Sequence, residues 1–302
     1  MMDLARLRAL HAVAVHGTVG AAAASLGYTP SAVSQQIAKL ERETRTVLLE
    51  KQGRGVVLTD AAHTLVAAAR ELLAIVERTE VELEERRGRA VGRLTIAAFA
   101  TSVKGLMPGV LAALARDHPE LDVRLLDVDP YPAAEMIGRG EVDLAVVQDW
   151  PLTPLPVTGE VSREDLGHDP VDLLMPAGHP LAARDGLTAA DLRGQRWISV
   201  PPGNICHDCL TKTLREAGEE PDVAVYAGEF AAYPPLIAAG LGIAMVPRLA
   251  RAPLPEGVVA RSMKPEPYRR VFALWRTRSS RRPAIGAALA ALRERWPVRE
   301  TA

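Results

Sequence analysis

Cysteine is scarce: Cys206 and Cys209 are the only two in 302 residues. That number excludes a disulfide framework and fits a reducing compartment. Net charge is almost absent as well, at −1, which rules out a generally basic coat for a polyanion. The N-terminal "MMDLARLRAL" lacks the apolar core and small-residue cleavage site of a secretory signal, so a cytoplasmic location is expected. The longest uncharged apolar run, 230–247, is interrupted by prolines and glycines and reads as loop, short helix and strand rather than a membrane span. No P-loop, no GxGxxG after a strand and no GxSxG occurs, and the neighbouring Cys206 and His207 lack the spatial logic of a nucleophile and base. An enzyme is therefore not expected, and a solute-binding protein would carry the signal that is missing.

What the average charge hides is an asymmetry. Residues 1–59 sum to +3 and the remainder to −4, so only the N-terminal part suits a polyanion. Residues 4–15 place Leu4, Leu7, Leu10 or His11 and Val15 at helical spacing. Thr18 is placed to cap "VGAAAASL", and Gly27 stands where that helix must stop. Thr29 and Pro30 then open a third helix, threonine as N-cap and proline at the first position, where its missing N–H is harmless. The pattern is helix, short turn, helix, with four alanines allowing close packing.

At 100° per residue, Val33, Ile37 and Leu40 share one face of the third helix, and Ser31, Ser34, Gln35, Ala38 and Arg42 share the other. Such a face, polar and free of bulk, suits a major groove: serine and glutamine meet base edges while Lys39 or Arg42 reaches phosphate. "LLEKQGRGVVLT" follows as two short apolar runs around a turn, a hairpin with Lys51 and Arg54 at its tip, which reads as a wing touching phosphates. Residues 59–88 continue as one long helix with Leu65, Ala68, Leu72, Ile75 and Thr79 in a narrow stripe, the seam of a two-helix packing, so a dimer is expected.

From residue 91 strand and helix alternate. "GRLTIAAF", "LDVRLLDV", "VDLAVV", "VDLLMP", "RWISV", "GIAMVP" and "VFALW" read as strands, and 102–117, 132–139, 204–217, 234–239 and 282–296 as helices. An α/β arrangement with largely parallel sheets is expected, split into two lobes by "WPLTPLPVTGE".

Over nearly its full length the chain resembles the LysR-type transcriptional regulators. The resemblance is carried by "GTVGAAAASLGYTPSAVSQQIAKLERE", "LLEKQGRGVVLTDAAHTLVAAAREL", "GEVDLAVV", "PAGHPLA" and "GLGIAMVP". It implies a winged helix-turn-helix over 1–59, a dimerising linker helix over 60–90, and a two-lobed effector domain like periplasmic binding proteins over 91–302. Lobe I would cover about 91–160 and 268–302, and lobe II about 161–267. The implied partners are double-stranded DNA and a small-molecule effector, in a homodimer or homotetramer without membrane or cofactor.

The operator contacts the resemblance implies are Thr29, Pro30, Ser31, Ser34, Gln35 and Lys39, with Arg54 from the wing. Arg45 replaces a usual glycine, Leu49 an aromatic, Gln36 a frequent basic residue and Ala62 a common glycine. By matching position the effector pocket would be walled by Thr101, Ser102, Asp129, Gln148, Asp149, Gly203, Asn204, Ile205 and Phe230. Hydroxyl, amide and free N–H groups there suit a small carboxylate, whereas Asp129 and Asp149, facing inward, favour a zwitterion or an amine. "NICHDCL" adds a CxxC at a helix start, which reads first as small residues opening a helix in the pocket wall; the alternative is a redox switch of Cys206 and Cys209, if the helix N-terminus lowers the thiol pKa. A metal site is not expected, because the histidines lack ligand spacing.

Overall fold

The computed structural model describes residues 2–52, 55–184, 186–251 and 253–296. It divides into two compact units, Met1–Arg87 and Gly88–Ala302.

The first unit holds α1 (Leu4–His16), α2 (Val19–Leu26), α3 (Pro30–Thr44), β1 (Leu49–Gln52), β2 (Gly55–Leu58) and α4 (Asp60–Arg87). Its helix ends follow the sequence punctuation. The Thr18 hydroxyl accepts from Ala21 N at 3.1 Å, and Gly27 ends α2 in the left-handed region at φ 67°. Thr29 accepts from Ala32 N at 3.2 Å, with Pro30 in the first turn of α3. Val33, Ile37 and Leu40 are buried, the first two against Val13, Ala22 and Ala23, and Leu40 against Leu7, Leu10 and Leu48. Leu4, expected on the apolar stripe of the first helix, is instead 40% exposed, because the core begins at Leu7.

β1 and β2 pair antiparallel as the wing, with Leu49 opposite Leu58. Glu41 fastens α3 to it by accepting from Leu48 N at 2.8 Å and Leu49 N at 3.3 Å. Thr59 then opens α4 by accepting from Ala62 N at 3.2 Å. The start of α4 packs through Ala62, Val66 and Ala69, one step round from the expected stripe. Leu72, Ile75, Val76 and Leu83 further along are left between 36% and 52% exposed.

The second unit contains β3 (Gly92–Ala98), α5 (Ala100–Gly105), α6 (Met107–Asp117), β4 (Leu121–Asp127), α7 (Pro130–Arg139), β5 (Leu144–Asp149), β6 (Val161–Pro176) and β7 (Arg196–Ser199). It continues with α8 (Ile205–Glu216), β8 (Asp222–Tyr226), α9 (Tyr233–Ala238), β9 (Ala244–Pro247), β10 (Val258–Arg261), β11 (Tyr268–Arg276) and α10 (Pro283–Arg295). The expected helix over 102–117 is two helices, since Pro108 opens α6 and supplies no N–H to continue α5.

The expectation of largely parallel sheets is corrected. β3 pairs parallel with β4 and β5, and β7 with β8, but β11 is antiparallel to β5 and β6, and β6 to β9 and β10. The sheet order is β10-β6-β11-β5-β3-β4, with β9 also on β6. The reversals arise from β6, whose first ten residues, "VSREDLGHDP", pair with β11 while its apolar end pairs with β9 and β10. A bulge skips Leu166 there, and Gly167 at φ 154° faces Trp296 so closely that a Cβ would collide with the indole. The expected lobe boundary at 160/161 therefore meets the head of a strand that runs on through both groups of elements.

Two cores flank the sheet end where the candidate cleft residues gather. One contains Ala97, Ile137, Val147, Trp150 and Phe272 together with Ile205 and Cys209 of α8, so α8 packs directly on β5 and β11. The other is built on Leu174, Ile198, Tyr233 and Val246.

Candidate functional site

On the first unit the structure turns the expected reading face of α3 outward. Thr29, Pro30, Ser31, Ser34, Gln35 and Lys39 are all exposed. The side chains of Ser31, Ser34, Gln35 and Lys39 make no hydrogen bond to another described residue, so their donors and acceptors are available to a partner. The backbone is held from behind: burial of Val33, Ile37 and Leu40 fixes which face turns outward. Arg54 lies outside the described residues. Arg45 sits at the end of α3 with φ 53°, the one described non-glycine residue with positive φ.

On the second unit the structure separates the nine expected pocket residues into two groups. Three have their groups already used. Ser102 is fully buried and donates its hydroxyl to Phe99 O at 2.8 Å. Asp149 accepts two bonds from Arg270, at 2.7 and 2.8 Å, and one from Leu155 N at 3.1 Å. The expected repulsion of an anion by Asp149 is thereby corrected, because Arg270 neutralises it. Ile205 is fully buried in the core beneath α8.

Thr101, Asp129, Gln148, Gly203 and Asn204 lie where β3, β4 and β5 end and α8 begins, and Phe230 follows β8. The Thr101 hydroxyl accepts from Arg269 Nη2 at 2.6 Å, and the same guanidinium donates through Nε to Asp169 at 2.9 Å. Arg269 is 1% exposed, so this pair is a buried, hydrogen-bonded ion pair. Gln148 donates through Nε2 to Cys206 Sγ at 3.4 Å, and its Oε1 has no partner. Trp150 Nε1, beside the same sulfur, does not reach it with hydrogen-bonding geometry and is also without a partner. Asn204 caps α8 by accepting from Cys206 N at 2.9 Å, preceded by exposed Gly203 at φ 89°. Asp129 is exposed, and Phe230 is half-buried with its ring 5.1 Å from Tyr233.

The lowered thiol pKa that the redox alternative requires is not found. Burial pushes the Cys206 thiol up, outweighing nearby Arg269, and pushes Cys209 up to about 12. Both thiols are free. The helix N-terminus offers favourable N–H groups, but at Cys206 the apolar surroundings outweigh them.

Sequence reasoning did not find Arg269, Asp169 or Tyr131, nor the partner that Asp208 has in Tyr131. Tyr131 donates to Asp208 at 2.8 Å across 77 residues, and burial with that bond holds its phenol above its ordinary range. The only local signal was "YRRVFALW", two arginines leading into an apolar strand. Among the described residues no group of three or more His, Cys, Asp or Glu could hold a metal ion, and no helix is long and apolar enough to cross a membrane.

A winged helix-turn-helix with an unspent polar face, followed by a mixed α/β unit with polar groups gathered at its strand ends, is the architecture of a DNA-binding regulator class. Comparison with known proteins agrees. Residues 4–63 match the bacterial regulatory helix-turn-helix of the lysR family, and residues 87–297 match the LysR substrate binding domain. The chain belongs to the LysR family of transcriptional regulators.

Among curated relatives it is 31% identical over 303 residues to the probable HTH-type transcriptional regulator LrrA of Synechococcus elongatus, covering 99% of this chain and 100% of that one. It is 28% identical over 298 residues to the DNA-binding transcriptional dual regulator OxyR of Escherichia coli, covering 97% and 96%. Among solved structures, a full-length OxyR variant from Pseudomonas aeruginosa superposes with a TM-score of 0.70 at 22% identity, covering 99% of both chains. Full-length CbnR in complex with its target DNA gives 0.55 at 21% identity, covering 97% and 99%. At these identities the superpositions establish the fold. The family binds DNA and small-molecule effectors and acts as oligomers.

Proposed function

We propose that this regulator binds an interrupted inverted-repeat operator as a dimer or tetramer and responds to a small metabolite held in the cleft where β3, β4 and β5 end against α8. The observation that carries the DNA half is the α3 face: Ser31, Ser34, Gln35 and Lys39 are exposed and unbonded on a helix whose other side is buried. Serine and glutamine have both donors and acceptors for base edges, and Lys39 supplies charge for phosphate. Pairing through the exposed Leu72, Ile75, Val76 and Leu83 of α4 would set two reading helices one turn of DNA apart. A cytoplasmic location follows from that role.

Effector binding shifts the regulator between states only if the two differ in affinity for it. The join beside the cleft suits this, because Gln148 on β5 and Cys206 on α8 are linked there by one long, weak bond. A thiol-based redox response of Cys206 and Cys209 is the second reading, supported by the position of Cys206 in that cleft and opposed by its raised thiol pKa.

The test is fluorescence binding of the purified protein to the DNA flanking its own gene, across salt concentrations and with and without dithiothreitol. Specific, salt-sensitive binding to one interrupted palindrome supports the proposal. A reductant effect favours the thiol reading. Equal affinity for scrambled DNA at every salt concentration sinks both.

A further inference from the structure

The turn between α2 and α3 is fixed on both sides. Behind it, Gly27 N donates to Ala24 O at 3.2 Å and Tyr28 N to Ala23 O at 2.9 Å, with Gly27 in the left-handed region at φ 67°. These are the two bonds of a Schellman motif, which closes α2 and sets the backbone of Tyr28. Ahead of it, the Thr29 hydroxyl accepts from Ala32 N at 3.2 Å, and Thr29 O accepts from Val33 N, also at 3.2 Å. Tyr28 therefore has a helix cap on either side, and its backbone is held although it belongs to neither helix.

Its side chain is not held in the same way. A Schellman motif frequently packs the side chain at the Tyr28 position on the residue that its N–H bonds or on the one before. Those residues are Ala23 and Ala22, both fully buried and too small to cover an aromatic ring. Tyr28 is accordingly 55% exposed, the most exposed aromatic among the described residues. Its phenol oxygen makes no hydrogen bond to another described residue. Residues 27–31 are all exposed, so the ring stands on the same uncovered stretch as Thr29, Pro30 and Ser31, where the reading face of α3 begins. A single exposed tyrosine is ordinary on a protein surface. One whose backbone is bonded on both sides, directly before the reading helix, is a donor with a fixed origin.

We propose that the phenol of Tyr28 donates a hydrogen bond to a DNA phosphate at the edge of the groove that α3 enters, and so positions the helix without reading a base. Base edges are met from the first turns of a reading helix, whereas Tyr28 precedes the N-cap and lies outside it, toward the groove wall. Tyrosine is among the neutral donors that meet phosphate oxygens. Because its backbone is already fixed, binding orders only side-chain torsions. A neutral donor also releases no counter-ion, which separates its role from that of Lys39. The assignment rests on the proposal that α3 reads DNA.

The test measures the full-length protein against the duplex flanking its own gene and a scrambled duplex, at several salt concentrations. The native chain is compared with Tyr28→Phe, Tyr28→Ala and Lys39→Ala. Tyr28→Phe removes the donor and keeps the ring. Its affinity for both duplexes should fall about ten-fold, with an unchanged salt slope and an unchanged order of preference among single-base operator variants. Lys39→Ala should instead lower the slope by about 1. Replacing single phosphates by uncharged methylphosphonate should find one linkage per half-site whose loss costs the native chain more than it costs Tyr28→Phe. A scan without such a linkage overturns the assignment. So does native affinity in Tyr28→Phe, even where Tyr28→Ala binds weakly, since the ring and not the hydroxyl would then make the contact. An altered base preference in Tyr28→Phe overturns it in favour of base reading, and a lowered urea midpoint in that variant places the hydroxyl in the fold. Equal native affinity for the two duplexes sinks operator recognition alone, because a phosphate contact is read on either duplex. No native binding to either overturns both.

Discussion

Asp149 and Arg270 close on each other through two hydrogen bonds of 2.7 and 2.8 Å, joining β5 to β11. The carboxylate is 1% exposed and also receives Leu155 N, so the pair anchors the Pro-rich 150–160 segment as well as the sheet. Removing one partner of a buried pair costs more than the pair contributes, because the other charge is stranded. Arg270 is itself 34% exposed and Arg163 lies 4.0 Å from the same carboxylate, so Arg270→Met should destabilise the second unit by about 1–3 kcal/mol, read as a lowered urea midpoint, while Asp149→Asn with Arg270→Met together should cost less. An additive double variant would show that the two groups act separately.

The unspent face of α3 makes a prediction about roles rather than stability. Gln35→Ala should leave the fold unchanged and relax preference at one base pair, a loss of discrimination of about 1–3 kcal/mol. Arg54→Ala should weaken all sequences alike and lower the salt slope by about 1. Affinity for a set of single-base operator variants, measured at several salt concentrations, separates the two. Equal loss of specificity in both variants would refute the division between base reading and phosphate contact.

Local punctuation made the first unit legible. Thr18, Gly27, Thr29 and Pro30 act within four residues of themselves, and their bonds are where the sequence places them. The strands of the second unit were legible only where apolar residues run together. The first half of β6, β8 and β10 were missed because each is charged, glycine-containing or half-exposed along its length. The cleft was least legible. Thr101 meets Arg269 across 168 residues and Tyr131 meets Asp208 across 77, and no short-range pattern announces such a pair. Matching position alone put Ser102, Asp149 and Ile205 in the wall, although the fold uses each of them internally.

His11 provides a pH handle on the first unit. It is half-buried on α1, and burial, followed by the charges of Arg70 and His16, lowers its pKa below the usual value. The folded state therefore holds the ring neutral more strongly than the unfolded chain does. Stability from this group is fully present above the unfolded value of about 6.5 and is lost as pH falls below it toward the folded value. His11→Gln should flatten that part of the stability profile. Thermal unfolding followed between neutral pH and about 5 tests this, and an unchanged slope would remove His11 as the cause.

Arg45 holds a left-handed conformation, φ 53°, that L side chains adopt at a cost, and its exposed guanidinium makes no bond to another described residue. Glycine takes this conformation without a Cβ penalty, although it adds entropy to the unfolded chain. Arg45→Gly should therefore raise stability modestly, by about 0.5–1 kcal/mol. The same change removes a positive charge from the C-terminal end of α3, a helix in which Gln36 already stands where a basic residue is frequent. DNA affinity should then fall for all sequences together, with a shallower salt dependence, while Arg45→Lys keeps the slope and forgoes the stability gain. A rise in the urea midpoint with unaltered DNA binding would mean that the strained arginine serves neither purpose; a fall in both would place its side chain in the fold rather than at the DNA.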